Sequence, residues 1–362
     1  RILLMVGIVV LLALAALIVS VTVPFGTGTA RGGRPPDAPS YAARGPHPVG
    51  MRVVAKDGGA PLDMVVWYPA TDGVDPDRRI TYQHRIGMPA PLGTVKVATY
   101  KGRADRGAPY DLSGGPYPLV VLSPGLSMGA TAYGWLAEHL ASYGLVVIAP
   151  EHGEQLDGEL DVLWQSAVTR PGEILAVLAT VDERAGPGGA LEGLVDAETV
   201  AVIGHSYGGY TSLVVAGARL DVESFAARCE AADEDDPGMW LCNALLPHVG
   251  DMADLAGLDV VPNGLWPSQS DPRVGAVVSM AGDAYLFGQA GLAEITAPVM
   301  AIGGTADDDS PYTWGTHPTY EHASSPTKVR IALEDAEHMI FAGPCEANPL
   351  LLRFVSGEFC SD

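Results

Sequence analysis

The chain of 362 residues is short of positive charge: 21 Lys and Arg stand against 43 Asp and Glu, for a formal net charge of −22. A surface so poor in Lys and Arg excludes general binding to phosphate backbones, and no nucleic-acid partner is expected. It suits a soluble, self-repelling surface. Cysteine is scarce too, with 4 in all. No Cys-x-x-Cys and no cluster of Cys and His occurs, so the spacing that zinc requires is missing and no metal is expected. The 44 glycines have no triplet period, which excludes a collagen-like repeat. The 48% hydrophobic content excludes disorder and is enough for a large core.

One long hydrophobic run is present, from Ile2 to Val19, and it hardly weakens before Val23. It is long enough to span a bilayer and exceeds the usual core of a signal peptide. Gly28-Thr29-Ala30, however, offers the small residues of a signal-peptidase site. A retained anchor over residues 2–23, a cleaved signal and a buried core helix are the three readings, in that order. The third is weakest because a Gly, Pro and Arg-rich stretch follows and reads as a linker. The expected organisation is an anchor or signal over 1–25, a linker over 26–48 and one domain over 49–362. Either favoured reading puts that domain outside the cytoplasm. The sequence opens on Arg1 rather than Met, so an upstream piece is expected. Export agrees with a local pairing of the cysteines, Cys229 with Cys242 and Cys345 with Cys360. Four free thiols would suit only a reducing compartment.

Beyond the linker, strand and helix signals alternate. Val49–Ala55 and Leu62–Tyr68 read as a hairpin around Gly58-Gly59, and residues 70–115 as loops. Leu119–Leu122, Leu145–Ala149, Thr199–Ile203, Arg273–Met280, Pro298–Ile302 and Lys328–Leu333 read as buried strands. Ala130–Tyr143, Arg170–Arg184 and Gly208–Arg219 read as helices, the first with Trp135, Leu136 and Leu140 on its apolar side. Continuous apolar strands separated by helices indicate a mostly parallel sheet covered on both faces. Residues 218–271 break the rhythm and read as a cap inserted over the sheet edge.

Gly204-His205-Ser206-Tyr207-Gly208 fits G-x-S-x-G. It follows a strand and opens a helix, the context in which a sharp turn presents a nucleophilic serine. A serine hydroxyl is a poor nucleophile at neutral pH and needs an adjacent base. His338 follows the last strand, where such a base should stand. His248, His317 and His322 have ordinary exposed roles, and His205 should support the turn. For the acid, Asp307 is the first carboxylate after the strand Pro298–Ile302. Asp283, after the preceding strand, is the rival. The amides of Tyr207 and Leu126, the latter in the loop Ser123-Pro-Gly-Leu126, are the expected oxyanion donors.

These segments, with Ala149-Pro-Glu-His152 and the opening Val66-Trp-Tyr-Pro-Ala70, resemble the α/β-hydrolase superfamily over about residues 45–345. Within it the chain looks like predicted dienelactone hydrolases, platelet-activating-factor acetylhydrolase-like esterases and cutinase-type polyester hydrolases. The resemblance implies an α/β-hydrolase fold and a serine carboxylester hydrolase without metal or organic cofactor. It leaves both acids open: the polyester enzymes' pattern maps to Asp307, the acetylhydrolase pattern to Asp283. True dienelactone hydrolases use a cysteine, so Ser206 speaks against dienelactone as substrate. The expected activity is extracytoplasmic hydrolysis of small to medium esters. A lipase, phospholipid acetylhydrolase or polyester hydrolase is the alternative within enzymes, and a hydrolase-fold binding module without chemistry is the alternative outside them. A membrane tether through residues 2–23 is a further role independent of Ser206.

Overall fold

The computed structural model describes residues 38–56, 60–71, 79–87, 93–154 and 161–343. The apolar N-terminal run, the Gly58-Gly59 turn, Cys345 and Cys360 lie outside them. Ten strands form one sheet: β1 (Val49–Val54), β2 (Met64–Pro69), β3 (Arg79–Gly87), β4 (Thr94–Arg106), β5 (Tyr117–Ser123), β6 (Val146–Pro150), β7 (Val195–His205), β8 (Val274–Met280), β9 (Val299–Gly304) and β10 (Lys328–Leu333). Their order is β10-β9-β8-β7-β5-β6-β2-β1-β4-β3. From β6 to β10 every neighbouring pair is parallel. β2 joins this block antiparallel, Met64 opposite Pro150, and pairs with β1 as a hairpin. This is the sheet of an α/β-hydrolase.

The helices are α1 (Gly134–Ser142), α2 (Asp161–Ala185), α3 (Tyr207–Val215), α4 (Val222–Ala231), α5 (Met239–Leu245), α6 (Val249–Leu255), α7 (Gly288–Ala293) and α8 (Thr316–His322). Two apolar clusters cover the two faces of the sheet. One includes Ile174, Val177 and Leu178 of α2 with Tyr210, Leu213 and Val214 of α3. The other gathers Val65, Trp67, Val120 and Val147 against Ala137 and Ala141 of α1. Strand residues alternate between the clusters because successive side chains point to opposite faces.

Three expectations need correction. Residues 70–115 are not simply loops, since they contain the antiparallel pair β3 and β4. Ile80, Tyr82 and His84 are buried while Arg79, Thr81 and Arg85 are exposed, a period of two that the Arg, Gly and Pro content masks. The buried Glu138 of α1 ties this pair down: it accepts from the amides of Arg103 and Ala104, each at 2.8 Å from Oε1, and from the Tyr82 hydroxyl at 2.7 Å. Trp135 does not face the core; it is 43% exposed, and Ala137, Glu138 and Ala141 are buried instead.

The helix expected at Arg170 begins nine residues earlier, at Asp161, and carries Pro171 inside it. Proline supplies no N–H to the carbonyl four residues back. That carbonyl, Ala167 O, accepts instead from the Tyr210 hydroxyl of α3 at 2.9 Å. The contact lets a long helix carry a proline and fixes it to the helix that starts at Ser206.

Residues 218–271 hold α4, α5 and α6, with Phe225, Leu241, Leu245 and Met252 buried in the first cluster. Cys229 of α4 and Cys242 of α5 form a disulfide. Trp164 of α2 stacks on His248, and Trp314 takes the Arg228 guanidinium over its ring. Among the described residues no helix is long and apolar enough to cross a membrane.

Candidate active site

Ser206 follows β7 with φ 57° and ψ −126°, outside the regions open to most L-residues. The turn is held from both ends. The Ser206 amide donates to Met280 O at 2.9 Å, and the Ser206 carbonyl accepts from the amides of Gly209 at 2.8 Å and Tyr210 at 3.1 Å. Strand and helix approach so closely that a Cβ at Gly204 would collide with the Gly208 carbonyl. One at Gly208 would collide with the Ser123 carbonyl. Glycine at both positions is therefore a steric requirement of the turn.

β9 and β10 are parallel neighbours, so the loops that follow them leave the same edge of the sheet. Asp307 stands in the first loop and His338 in the second. His338 Nδ1 lies 2.8 Å from Asp307 Oδ2, and His338 Nε2 lies 2.8 Å from Ser206 Oγ. Asp307 Oδ1 accepts from the amides of Asp309 at 3.0 Å and Ser310 at 2.8 Å, which leaves Oδ2 aimed at the imidazole. Burial works to lower the pKa of His338. The hydrogen bond to Asp307 and the charges of Asp307, Asp309 and Asp283 outweigh it, and His338 sits above the ordinary histidine value.

Asp283 is buried in the same cluster but does not make the bond to His338 Nδ1. Burial pushes its carboxyl up to about 7, against the Ser310 hydroxyl and the His338 charge, with Asp307 and Asp309 adding to the rise. Of the two candidate acids, the structure therefore brings Asp307 to the imidazole and leaves Asp283 with a carboxyl that burial holds well above the usual carboxylate range.

The amide of Tyr207 opens α3, where a helix leaves its N–H without an internal partner. The Leu126 amide takes part in none of the backbone hydrogen bonds of its loop. The two stand in adjoining turns, after β7 and after β5, whose strands pair directly from Ser123 to Gly204.

His205 is fully buried behind the turn. Its Nε2 lies 3.0 Å from the His338 carbonyl, which can only accept, so Nε2 carries the proton. Nδ1 must then accept from the Tyr133 hydroxyl at 2.8 Å, and Tyr133 in turn accepts from the Gly125 amide at 3.0 Å. Burial, and then the charge of His338, hold His205 well below the usual histidine pKa. The residue is a neutral strut that joins the loop after β5 to the backbone of His338.

Sequence reasoning missed three further groups around that loop. His152 lies between Ser123 Oγ, 3.0 Å from Nε2, and Glu173, 2.6 Å from Nδ1. Glu154 and Arg170 form a buried ion pair beneath Pro124–Ser127. His152 stood in a segment quoted for its resemblance, without a role. Arg170 begins an ordinary apolar helix pattern, and nothing in its spacing marks it. A cavity of about 510 Å³ lies beside the loop, lined by Ser127, Met128, Val65, Gln83, Arg85 and Glu151 among others. It does not reach Ser206, Asp307 or His338.

Known proteins match parts of this chain. The family model described as chlorophyllase matches residues 109–229, and that of platelet-activating factor acetylhydrolase, isoform II, matches residues 42–157. Cutinase est2 of Thermobifida alba is 30% identical over 115 residues, which is 32% of this chain and 35% of the relative. Cutinase est1 of the same organism and cutinase 2 of Thermobifida cellulosilytica are each 30% identical over 115 residues, covering 36% and 40% of their own lengths. The chain thus spans little more than a third of the curated relatives it matches. Neither family model extends to Asp307 or His338. The sheet order and the turn at Ser206 are those of the α/β-hydrolase fold, and the partial matches are to hydrolases of the esterase type.

Proposed function

We propose that the chain is an extracytoplasmic serine carboxylester hydrolase acting on small to medium esters. The observation that carries this reading is the hydrogen-bonded line from Ser206 Oγ through His338 to Asp307, with both contacts at 2.8 Å. In the reaction Ser206 Oγ attacks the ester carbonyl while His338 Nε2 takes its proton. Asp307 holds the imidazole in the tautomer that leaves Nε2 free to accept, and stabilises the cation that forms. The amides of Leu126 and Tyr207 take the negative oxygen of the tetrahedral intermediate. His338 then protonates the leaving alkoxide, and the same nitrogen activates water to release the acid from Ser206. No metal or organic cofactor enters these steps.

The Cys229–Cys242 disulfide and the apolar run over residues 2–23 support a place outside the cytoplasm, as a secreted protein or one attached to the membrane by that run. A second disulfide between Cys345 and Cys360 belongs to the same reading. In this reading residues 26–48 are a linker and residues 218–271 shape the approach to the site as a cap. A polyester, lipid or phospholipid substrate is the second reading, favoured by the cutinase and acetylhydrolase matches. An acyl-chain series of chromogenic esters, run beside a polyester film and with and without a serine-directed phosphonate, tests both. Ser206→Ala should lower turnover by about 10⁴–10⁶-fold in a folded protein. Near-normal activity in that variant would refute the reading.

A further inference from the structure

Arg170 is a buried cation in a chain with few of them, its side chain 1% exposed. Its guanidinium donates to one loop and one carboxylate and lies over the Tyr207 ring, 5.6 Å from its centroid. Nη1 donates to Pro124 O at 2.8 Å and Nη2 to Gly125 O at 3.2 Å. Nε donates to Glu154 Oε1 at 2.6 Å, and Nη2 also meets Glu154 Oε2. Glu154 Oε2 accepts the Ser127 amide at 3.0 Å, and Ser166 Oγ donates to Oε1. Burial opposes the charge on Glu154, but Arg170 overrides it and holds the carboxyl down at about 2. The pair is therefore ionised across any working pH.

We propose that Arg170, backed by Glu154, is the positioning residue of the oxyanion donor at Leu126. The inference rests on the esterase reading given above. The argument is one of peptide geometry. In a trans peptide the C=O and the N–H of one unit point in opposite directions. The peptide between Gly125 and Leu126 is trans, as the described cis bond is at Gly115-Pro116. The Gly125 carbonyl is held by Arg170 at 3.2 Å and by the Met128 amide at 3.1 Å, so the Leu126 N–H is aimed away from both. The units on either side are tied to the same ion pair, Pro124 by its carbonyl and Ser127 by its amide. Among the described residues the Leu126 amide, between them, has no hydrogen-bond partner.

The loop needs such a tie. Ser127 is held at φ 57°, a left-handed conformation that a serine leaves readily when released. From the other side the Gly125 amide is fixed on Tyr133, so the unit is gripped at both ends. Donors aimed in advance at the developing charge are what gives an oxyanion hole its effect, because nothing must reorganise during the reaction. A planar fork can hold two carbonyls and a carboxylate at once, which a lysine ammonium cannot match in geometry.

The test separates positioning from simple support of the fold. Arg170→Met alone would strand Glu154 in the interior, so the double variant Arg170→Met/Glu154→Met is the first choice, since replacing both partners of a buried pair is often tolerated. Arg170→Lys is made beside it. Ester hydrolysis is measured per active site, counted by phosphonate titration, with wild type and Ser206→Ala in the same series. Positioning predicts a kcat per site lower by about 100-fold in the double variant and about tenfold in Arg170→Lys, with KM within about threefold. The acid limb of the pH profile should stay where it is in wild type, because His338 and Asp307 are untouched. A structural role alone would lower the number of titratable sites and leave kcat per site unchanged, and that result overturns the inference. If the double variant does not fold, the lysine variant decides by the same criterion. A wild type whose hydrolysis does not depend on Ser206 overturns the esterase reading, and this inference with it.

Discussion

Two buried aspartates stand near one histidine, and their environments push them toward different tasks. Asp307 receives two backbone amides on one oxygen and the imidazole on the other, which fixes the orientation of its carboxylate. Asp283 lacks such amide donors among the described contacts and is pushed up to about 7 by burial. Asp307→Asn should therefore lower kcat by about 10⁴-fold, since an amide can impose the wrong tautomer and cannot stabilise the imidazolium. Asp283→Asn should cost about tenfold or less. The acid limb of kcat/KM reports the protonation of free His338. Protonated His338 cannot accept the serine proton, so activity rises with pH through a midpoint above the ordinary histidine value. Loss of the Asp307 charge should move that midpoint down.

Asp283 also makes a stability prediction with a definite sign. Its folded pKa of about 7 lies above the ordinary value of 3.8. Between those values the folded chain keeps a proton that the unfolded chain releases, so stability falls as pH rises through the window. Asparagine has no such proton to lose. Asp283→Asn should raise Tm more at about pH 8 than at about pH 5 relative to wild type. A difference that does not change between the two would show that Asp283 ionises normally. Kinetics that cripple Asp283→Asn and spare Asp307→Asn would assign the acid to the other loop.

At the level of elements, continuous apolar strands and the glycine-flanked serine made the parallel sheet and the turn at Ser206 legible. β10 falls at Lys328–Leu333 as the sequence suggests, and the other expected strands lie within a few residues of theirs. The place of His338 beside Ser206 was legible because His338 follows the last strand. Which of Asp307 and Asp283 meets the imidazole was not, because the loops after β8 and β9 leave the same edge of the sheet and only the side-chain contact separates them. β3 and β4 were missed where exposed Arg and Thr hide an alternating pattern. The Arg170 and Glu154 pair was missed because it joins a helix to two loops, a relation that spacing along the chain does not carry.

The segment over residues 218–271 gives a prediction of its own. Its disulfide closes a loop with a sequence separation of 13 between α4 and α5. Such a loop restricts the unfolded chain by about 3 kcal/mol. Cys229→Ser/Cys242→Ser should lower stability by about that amount in denaturant unfolding. Turnover per folded site should hardly change, because the residues that grip Ser206 and the Leu126 loop belong to other elements. An equal loss of turnover would mean that the segment controls the site directly.

At the level of the whole molecule the excess of acidic residues, 43 against 21 basic ones, sets a field that any substrate must cross. Asp308 and Asp309 are exposed beside the site, and Asp307 is buried within it. Arg170, the buried cation beneath the Leu126 loop, is paired with Glu154. An anionic ester should therefore be repelled on approach, whereas a neutral ester of the same shape meets no such barrier. Fields of this kind change association by about tenfold or more and fade as salt shortens the Debye length to about 3 Å at 1 M. The ratio of kcat/KM for a neutral ester to that for its carboxylate-bearing counterpart should be largest at low ionic strength. It should shrink by about tenfold when salt is raised to about 1 M, mostly through faster reaction of the anionic substrate. Steering acts on encounter, so kcat for either ester should move far less than kcat/KM. A ratio that ignores salt would show that shape in the cleft, rather than the charge of the molecule, decides which esters are taken.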